Sequence, residues 1–390
     1  MRKGMAAMGP RCAEPLQKPP EGARRNKSSG RFLLAAALFS LLITPANAII
    51  FYSTGDPAHN TTAPGGSLTN SGWQFQGIWG GFLGTPIAPK YFIAAAHVGG
   101  SVGTPLVLNG VSYTTTAVFD DPDTDLRLWR ICGTFPTFAP LYTNTNEVGK
   151  SLIVFGRGTQ RAGPVTTTNF LGNIKTNGWL WGPYDGAQRW GTNVVASVVN
   201  GDGVLGDAGI GEVLQATFDA SGGPNECHLS VGDSSGAVFI QDGPQWKLAA
   251  INYAVDGPYN TSDTGAGFDA AIFDAGGLYE KNVAGTWTLT PDLPGNQAGS
   301  FYSTRISSRM NWINSVLSAP IPPDSQPVLQ SSTTVNGTFA DHTNAVVDDT
   351  AKTVTLPQPG QSEFYRLRSC SSHRIASIRV QGGNVVLTYE

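Results

Sequence analysis

The chain reads as an all-β protein on three observations. Only 14% of its residues are charged, glycine supplies 48 of 390 positions beside abundant Ser, Thr and Asn, and its apolar residues fall in short runs bounded by Gly, Pro, Asn and Asp. Few charges and many small polar residues suit short strands joined by tight turns, because Gly, Asn and Asp adopt the turn conformations that other residues resist. At this length two or three folding units are expected.

Residues 1–48 read as a secretion signal rather than as fold. Phe32 to Ile43 is a run of twelve residues, apolar apart from Ser40, with basic residues before it and Pro45-Ala46-Asn47-Ala48 after it as a small-residue cleavage site. Cleavage near Ala48 makes Ile49 the new N-terminus and sends the mature chain out of the cytoplasm, to a secreted extracellular or periplasmic location. The run is shorter than the roughly 20 residues a membrane-spanning helix needs, and no later run approaches that length, so no membrane span is expected in the mature chain. The leader carries eight Lys or Arg against two Glu, a surplus of six that leaves a net charge of −9 beyond residue 48, given −3 for the whole chain. That acidity argues against a nucleic-acid partner.

Cys132, Cys227 and Cys370 remain beyond the leader, enough for one disulfide and one free thiol, and no Cys/His spacing suggests zinc. Asp121, Asp123 and Asp125 alternate as in a calcium loop, but Leu126 and Cys132 stand where such a loop needs Gly and Glu. No metal or cofactor is expected, and Asp121 and Asp123 read as solvated turn residues about Pro122. Gly156-Arg157-Gly158 lacks the following helix that a nucleotide loop requires.

Strands are expected in order along the chain. Trp73 to Thr85 forms a hairpin, Tyr91 to Ala96 an apolar strand ending at His97, and Leu126 to Ile131 an alternating strand after Asp125. A strand begins in Gly149 to Thr159, and two more, Ala237–Ile240 and Trp246–Tyr253, flank a turn at Asp242-Gly243-Pro244. After a Gly-rich stretch from Ala254 to Gly299, the Phe301–Ile306 strand leads into a helix at 307–317, where Ile306, Met310, Ile313 and Leu317 share one face. Ala319 to Pro327 is a Pro-rich linker, and residues 328–390 hold short β runs that read as a small sandwich module.

Three segments resemble the trypsin/chymotrypsin-like serine protease superfamily, in the chain order His, Asp, Ser that this superfamily uses. Ala95-Ala96-His97 resembles its histidine box, Asp125-Leu126-Arg127-Leu128 its aspartate strand, and Gly232-Asp233-Ser234-Ser235-Gly236 its nucleophile loop. The resemblance covers roughly residues 49–318. It implies a double six-stranded β-barrel with a C-terminal helix, a protein or peptide substrate, and a monomer without cofactor. It also implies roles. Ser234 is the nucleophile, His97 its base, Asp125 the residue that orients His97, and the N–H groups of Gly232 and Ser234 the oxyanion donors. His228, six residues before Ser234, falls at the base of the specificity pocket, with Val231 and Tyr253 beside it. A histidine there does not support selection of Lys or Arg.

The chain departs from the resembled pattern in four places. Ser235 replaces a glycine, adding a side chain near the cleft floor; Val98 replaces a cysteine; Phe301 stands where the pocket is usually kept open; and the 254–299 stretch is long enough to overhang the pocket. Asp233 has two readings, as the partner of a new amine at Ile49 or as an acid satisfied by local backbone donors. The leading expectation is a secreted serine endopeptidase. The alternative is a catalytically inactive protease-like domain used for binding or adhesion.

Overall fold

In the computed structural model the described residues are 5–7 and 49–390, apart from 170, 207, 322, 325, 371 and 372. The signal-peptide reading therefore falls almost wholly outside them. Met5–Ala7 alone is described, as a short strand antiparallel to Ala254–Asp256.

Six strands close the first barrel, in the order Gly77–Trp79, Phe82–Ala88, Tyr91–Ala95, Leu126–Ile131, Val111–Asp120 and Pro105–Leu108. The unbroken apolar run of Tyr91–Ala95 follows from its position. Phe92 and Ala94 point into the barrel with Trp79, Leu106 and Trp129. Tyr91, Ile93 and Ala95 point the other way, into a core shared with Phe155, Phe239 and Ile306 of the second unit. A strand buried on both faces has no polar alternation to show.

The second unit orders its strands Arg189–Val194, Ser151–Gly156, Ala237–Asp242, Gln245–Asp256, Ser300–Arg305 and Glu212–Thr217, all antiparallel, with Ser197–Asn200 as a seventh on the outer edge. The first and sixth of these approach each other through a side chain, since Asn193 Nδ2 donates to the Thr217 carbonyl at 2.7 Å. The all-β architecture with a six-stranded barrel is thus as expected. The second unit gains its extra strand because the chain doubles back before Glu212.

Met310–Leu317 forms the terminal helix, with Ile313 and Val316 buried and Met310 and Leu317 packed at the margin. Just ahead of it, Arg309 donates through Nε and Nη2 to Asp121 at 2.7 and 2.5 Å and through Nη2 to Asp123 at 2.7 Å. This corrects one expectation. Asp121 is buried and paired rather than solvated, because the helix brings a guanidinium over its turn, while Asp123 stays exposed.

The 254–299 stretch is ordered. Tyr259–Asn260, Tyr279–Lys281 and Trp287–Leu289 make a small sheet, and Ala270–Ile272 pairs with Ile174–Tyr184 of a long hairpin whose other arm is Thr159–Thr168. Val165, Tyr259, Ile272 and Leu278 supply its own apolar cluster. Beyond the linker, a three-stranded and a four-stranded sheet enclose Leu329, Val354, Leu356, Val385, Leu387 and Tyr389. A Cys132–Cys370 disulfide ties this sandwich to the first barrel, leaving Cys227 as a buried free thiol.

Candidate active site

His97 and Asp125 meet because their strands pair. Tyr91–Ala95 lies antiparallel to Leu126–Ile131 with Ala95 opposite Leu126, so the residues just past one strand and just before the other are adjacent. A single 3-10 turn, Ala96–Val98, then lifts His97 off the strand end. Asp125 holds it at two atoms, with Oδ2 2.6 Å from His97 Nδ1 and Oδ1 accepting the His97 main-chain N–H at 2.9 Å. The Asp125 carbonyl also accepts from Ala96 N–H at 2.7 Å. A carboxylate facing Nδ1 fixes the tautomer that leaves Nε2 as the base. His97 Nε2 is buried and has no hydrogen-bond partner among the described residues, and the Tyr253 ring meets the imidazole in a T-shaped contact with centroids 5.5 Å apart.

Ser234 lies in the loop between Cys227–His228 and Ala237–Asp242, almost fully buried. The bond that brings this loop to the histidine strand is made by its neighbour, since Ser235 Oγ accepts from Ala95 N–H at 2.9 Å. Ser235 is itself fully buried. The side chain that the departure adds is therefore turned into the seam between the two units.

Asp233 is the loop's internal brace. Its carboxylate accepts from Gly158 N–H at 2.7 Å, Ser230 N–H at 2.8 Å and Ser230 Oγ–H at 2.9 Å. Donors within the chain thus satisfy Asp233, as one of its two readings expects. Burial pushes its carboxyl up to about 6, against the lowering pull of the Ser230 and Gly158 donors. The glycines of Gly156-Arg157-Gly158 explain themselves here, because a Cβ on either would stand 2.0 to 2.7 Å from atoms of Asp233 or Ser230. Asn252 completes the support by donating to the carbonyls of Phe155 and Asp233 at 2.9 and 3.0 Å and accepting from Ser303 Oγ–H at 3.1 Å. Sequence reading missed Ser230 and Asn252. The signal for Asn252 was a lone amide inside an otherwise apolar strand, which must find buried partners.

Gly232 takes φ +94°, and a Cβ there would meet the Tyr184 ring at 2.8 Å and Gly158 Cα at 2.9 Å. Tyr184 thus lies against the residue expected to give an oxyanion donor, and its hydroxyl reaches the Gly81 carbonyl of the first barrel at 2.6 Å.

The two units of the fold meet along a seam that carries His97 and Asp125 on one side and the Ser234 loop on the other. Among solved structures the chain resembles neuropsin, a serine protease expressed in the limbic system of mouse brain, at 14% identity and TM-score 0.37, covering 64% of this chain and 96% of that one. It also resembles an inactive serine-to-alanine variant of Rv3671c from M. tuberculosis H37Rv, at 13% identity and TM-score 0.31, covering 62% of this chain and 83% of that one. Such distant likenesses say nothing of activity. No protein-family model matches the chain, and no curated protein matches it.

The pocket residues divide. Val231 is half-buried and Tyr253 sits beside His97. His228 is 1% exposed, edge-on to Phe218 and Phe301, with Nδ1 2.7 Å from the Leu229 carbonyl. Burial among these rings lowers its pKa, against the raising pull of the Leu229 carbonyl. The residue pairs with Ile50, and Cys227 with Phe51, so the Ile50–Phe51 strand lies directly against it.

Proposed function

We propose that this chain is a serine endopeptidase. Ser234 Oγ attacks the scissile carbonyl carbon while His97 Nε2 takes its proton. Asp125 holds the imidazolium so formed, and the N–H groups of Gly232 and Ser234 receive the oxyanion. The proton then passes to the leaving amine, and water resolves the acyl-enzyme by the same route in reverse. The observation that carries this reading is the two-point hold of Asp125 on His97, at Nδ1 and at the main-chain N–H. A histidine kept only for structure needs no carboxylate bridging both of those groups.

The Ala254–Asp256 edge gives further support, since it pairs with Met5–Ala7 as an antiparallel strand, the mode in which an extended peptide adds to a sheet edge. The disulfide between Cys132 and Cys370 suits an oxidising compartment, in line with export of residues 49–390 after cleavage near Ala48. Protein or peptide is the substrate class, and the mature chain acts as a monomer.

One observation favours a binding role instead, namely the burial of His228 beneath aromatic rings where an open pocket base was expected. Intact-mass detection of a fluorophosphonate adduct on residues 49–390 separates the two readings. Labelling that disappears in Ser234→Ala establishes the activated serine. A folded protein that takes no label moves the assignment to binding.

A further inference from the structure

We propose that Ser235 is a positioning residue, whose hydroxyl sets the separation of nucleophile and base by joining the Ser234 loop to the histidine strand across the seam. The inference rests on the protease reading and deepens it. Ser235 has φ +66°, a left-handed backbone that glycine adopts freely and side chains rarely do. A side chain kept at such a position points to a use for its atoms. Here the use is visible, because the hydroxyl accepts from Ala95 N–H at 2.9 Å within a fully buried contact.

Both ends of that bond lead straight to the chemistry. Ala95 closes its strand: the next N–H, of Ala96, goes to the Asp125 carbonyl, and among the described residues the pairing of this strand with Phe82–Ala88 reaches only Ile93, so Ala95 N–H is left to Ser235 Oγ and loses its partner without it. Two residues on is His97, held by Asp125. At the other end, Ser235 N–H donates to the Asn252 carbonyl at 3.0 Å, and Asn252 Nδ2 holds the carbonyl of Asp233. The bond thus ties a segment fixed by Asp125 to a loop fixed by Asn252, one residue from the nucleophile and two from the base. A displacement of about 1 Å between such groups is enough to slow a reaction on the order of 10²-fold.

Ser235→Gly is the informative variant, since glycine suits the backbone and the side chain that carries the bond is removed. It is expected to melt close to the parent, because relief of the left-handed backbone offsets the hydrogen bond lost from Ala95 N–H, to label with fluorophosphonate on the order of ten-fold more slowly, and to shift the low-field proton resonance of the His97–Asp125 bond. Ser235→Ala keeps the Cβ in the strained backbone and is expected to show the same slowing with a lower melting temperature. Ser235→Gly labelling within about two-fold of the parent, or an unmoved resonance, overturns the inference. An unlabelled parent is a different result, and would remove the protease reading itself.

Discussion

Replacing Asp125 by Asn tests the His97 arrangement most directly, because its cost can be worked from two hydrogen bonds. The carboxylate accepts at both oxygens, from His97 N–H and from His97 Nδ1–H. An amide has one acceptor and one donor end. If its oxygen faces Nδ1, its NH2 opposes the main-chain N–H, a clash of donors costing about 1–3 kcal/mol. If its oxygen faces the main chain, the NH2 demands a lone pair on Nδ1, which moves the proton to Nε2 and removes the base. The second orientation keeps both bonds and dominates, leaving a fraction of roughly 10⁻¹ to 10⁻² in the useful tautomer. That fraction also lacks the carboxylate charge beside the developing imidazolium, about 4 kcal/mol at 4 Å in an effective dielectric near 20, or roughly 10³ in rate. The two effects together predict fluorophosphonate labelling slower by about 10⁴–10⁵, the lower end being the size known for serine triads in general. Second-order labelling rates from timed intact-mass spectra measure it. A rate for Asp125→Asn within about ten-fold of the parent would refute the assignment of Asp125.

Gly232→Ala is expected to abolish labelling in a protein that still folds, since its Cβ would stand 2.8 Å from Tyr184 and 2.9 Å from Gly158 at φ +94°; near-normal labelling would remove Gly232 from the oxyanion assignment. Arg305→Met should lower stability by about 3–5 kcal/mol in a denaturant titration, because it strips the bidentate partner, at 2.9 and 2.7 Å, from the fully buried Glu147. Burial pushes the Glu226 carboxyl up to about 8, with the Asp219 N–H pulling weakly the other way. A carboxyl raised on folding contributes stability that is whole below its unfolded value and is lost as pH rises through about 8. Glu226→Gln should therefore flatten the fall in stability between about pH 4.5 and 8, read as melting temperature against pH.

Most of residues 49–318 was legible because the strands carry their own signals. Tyr91–Ala95, Leu126–Ile131 and Asn384–Tyr389 declared themselves by apolar content and by their turns, and the helix face at Ile306, Met310 and Ile313 by its spacing. Pairing between distant segments was not legible. The long hairpin of Thr159–Thr168 and Ile174–Tyr184 is rich in Thr, Gly and Asn and half-exposed, so neither face gives a continuous apolar pattern. Its pairing with Ala270–Ile272, like the choice of Cys370 for Cys132, is decided by packing across about a hundred residues or more. For Asp121 the local Asp-Pro-Asp turn was read correctly, but the guanidinium that buries it comes from Arg309, 188 residues away.

Asp233 bears on how the Ser234 loop is kept in shape, and so on what the proposed trimming at residue 49 would have to accomplish. An acid in this place that depended on a new terminal amine would lack internal donors, and the loop would stay unformed until cleavage. Here three donors from Gly158 and Ser230 already fill it, in space that Gly156 and Gly158 leave open. The adjoining segment has a different task. Ile50 and Phe51 pair with His228 and Cys227, and Arg161 donates to the carbonyls of Phe51 and Tyr52 at 3.1 and 2.7 Å, so the segment acts as a strand rather than as a charge. A few residues added before Ile49 should then leave the labelling rate within about two-fold of that of residues 49–390, whereas deleting Ile49 to Phe51 should lower both labelling and melting temperature. Loss of labelling from the extension alone would show that the amine is required and that the donors around Asp233 are not enough.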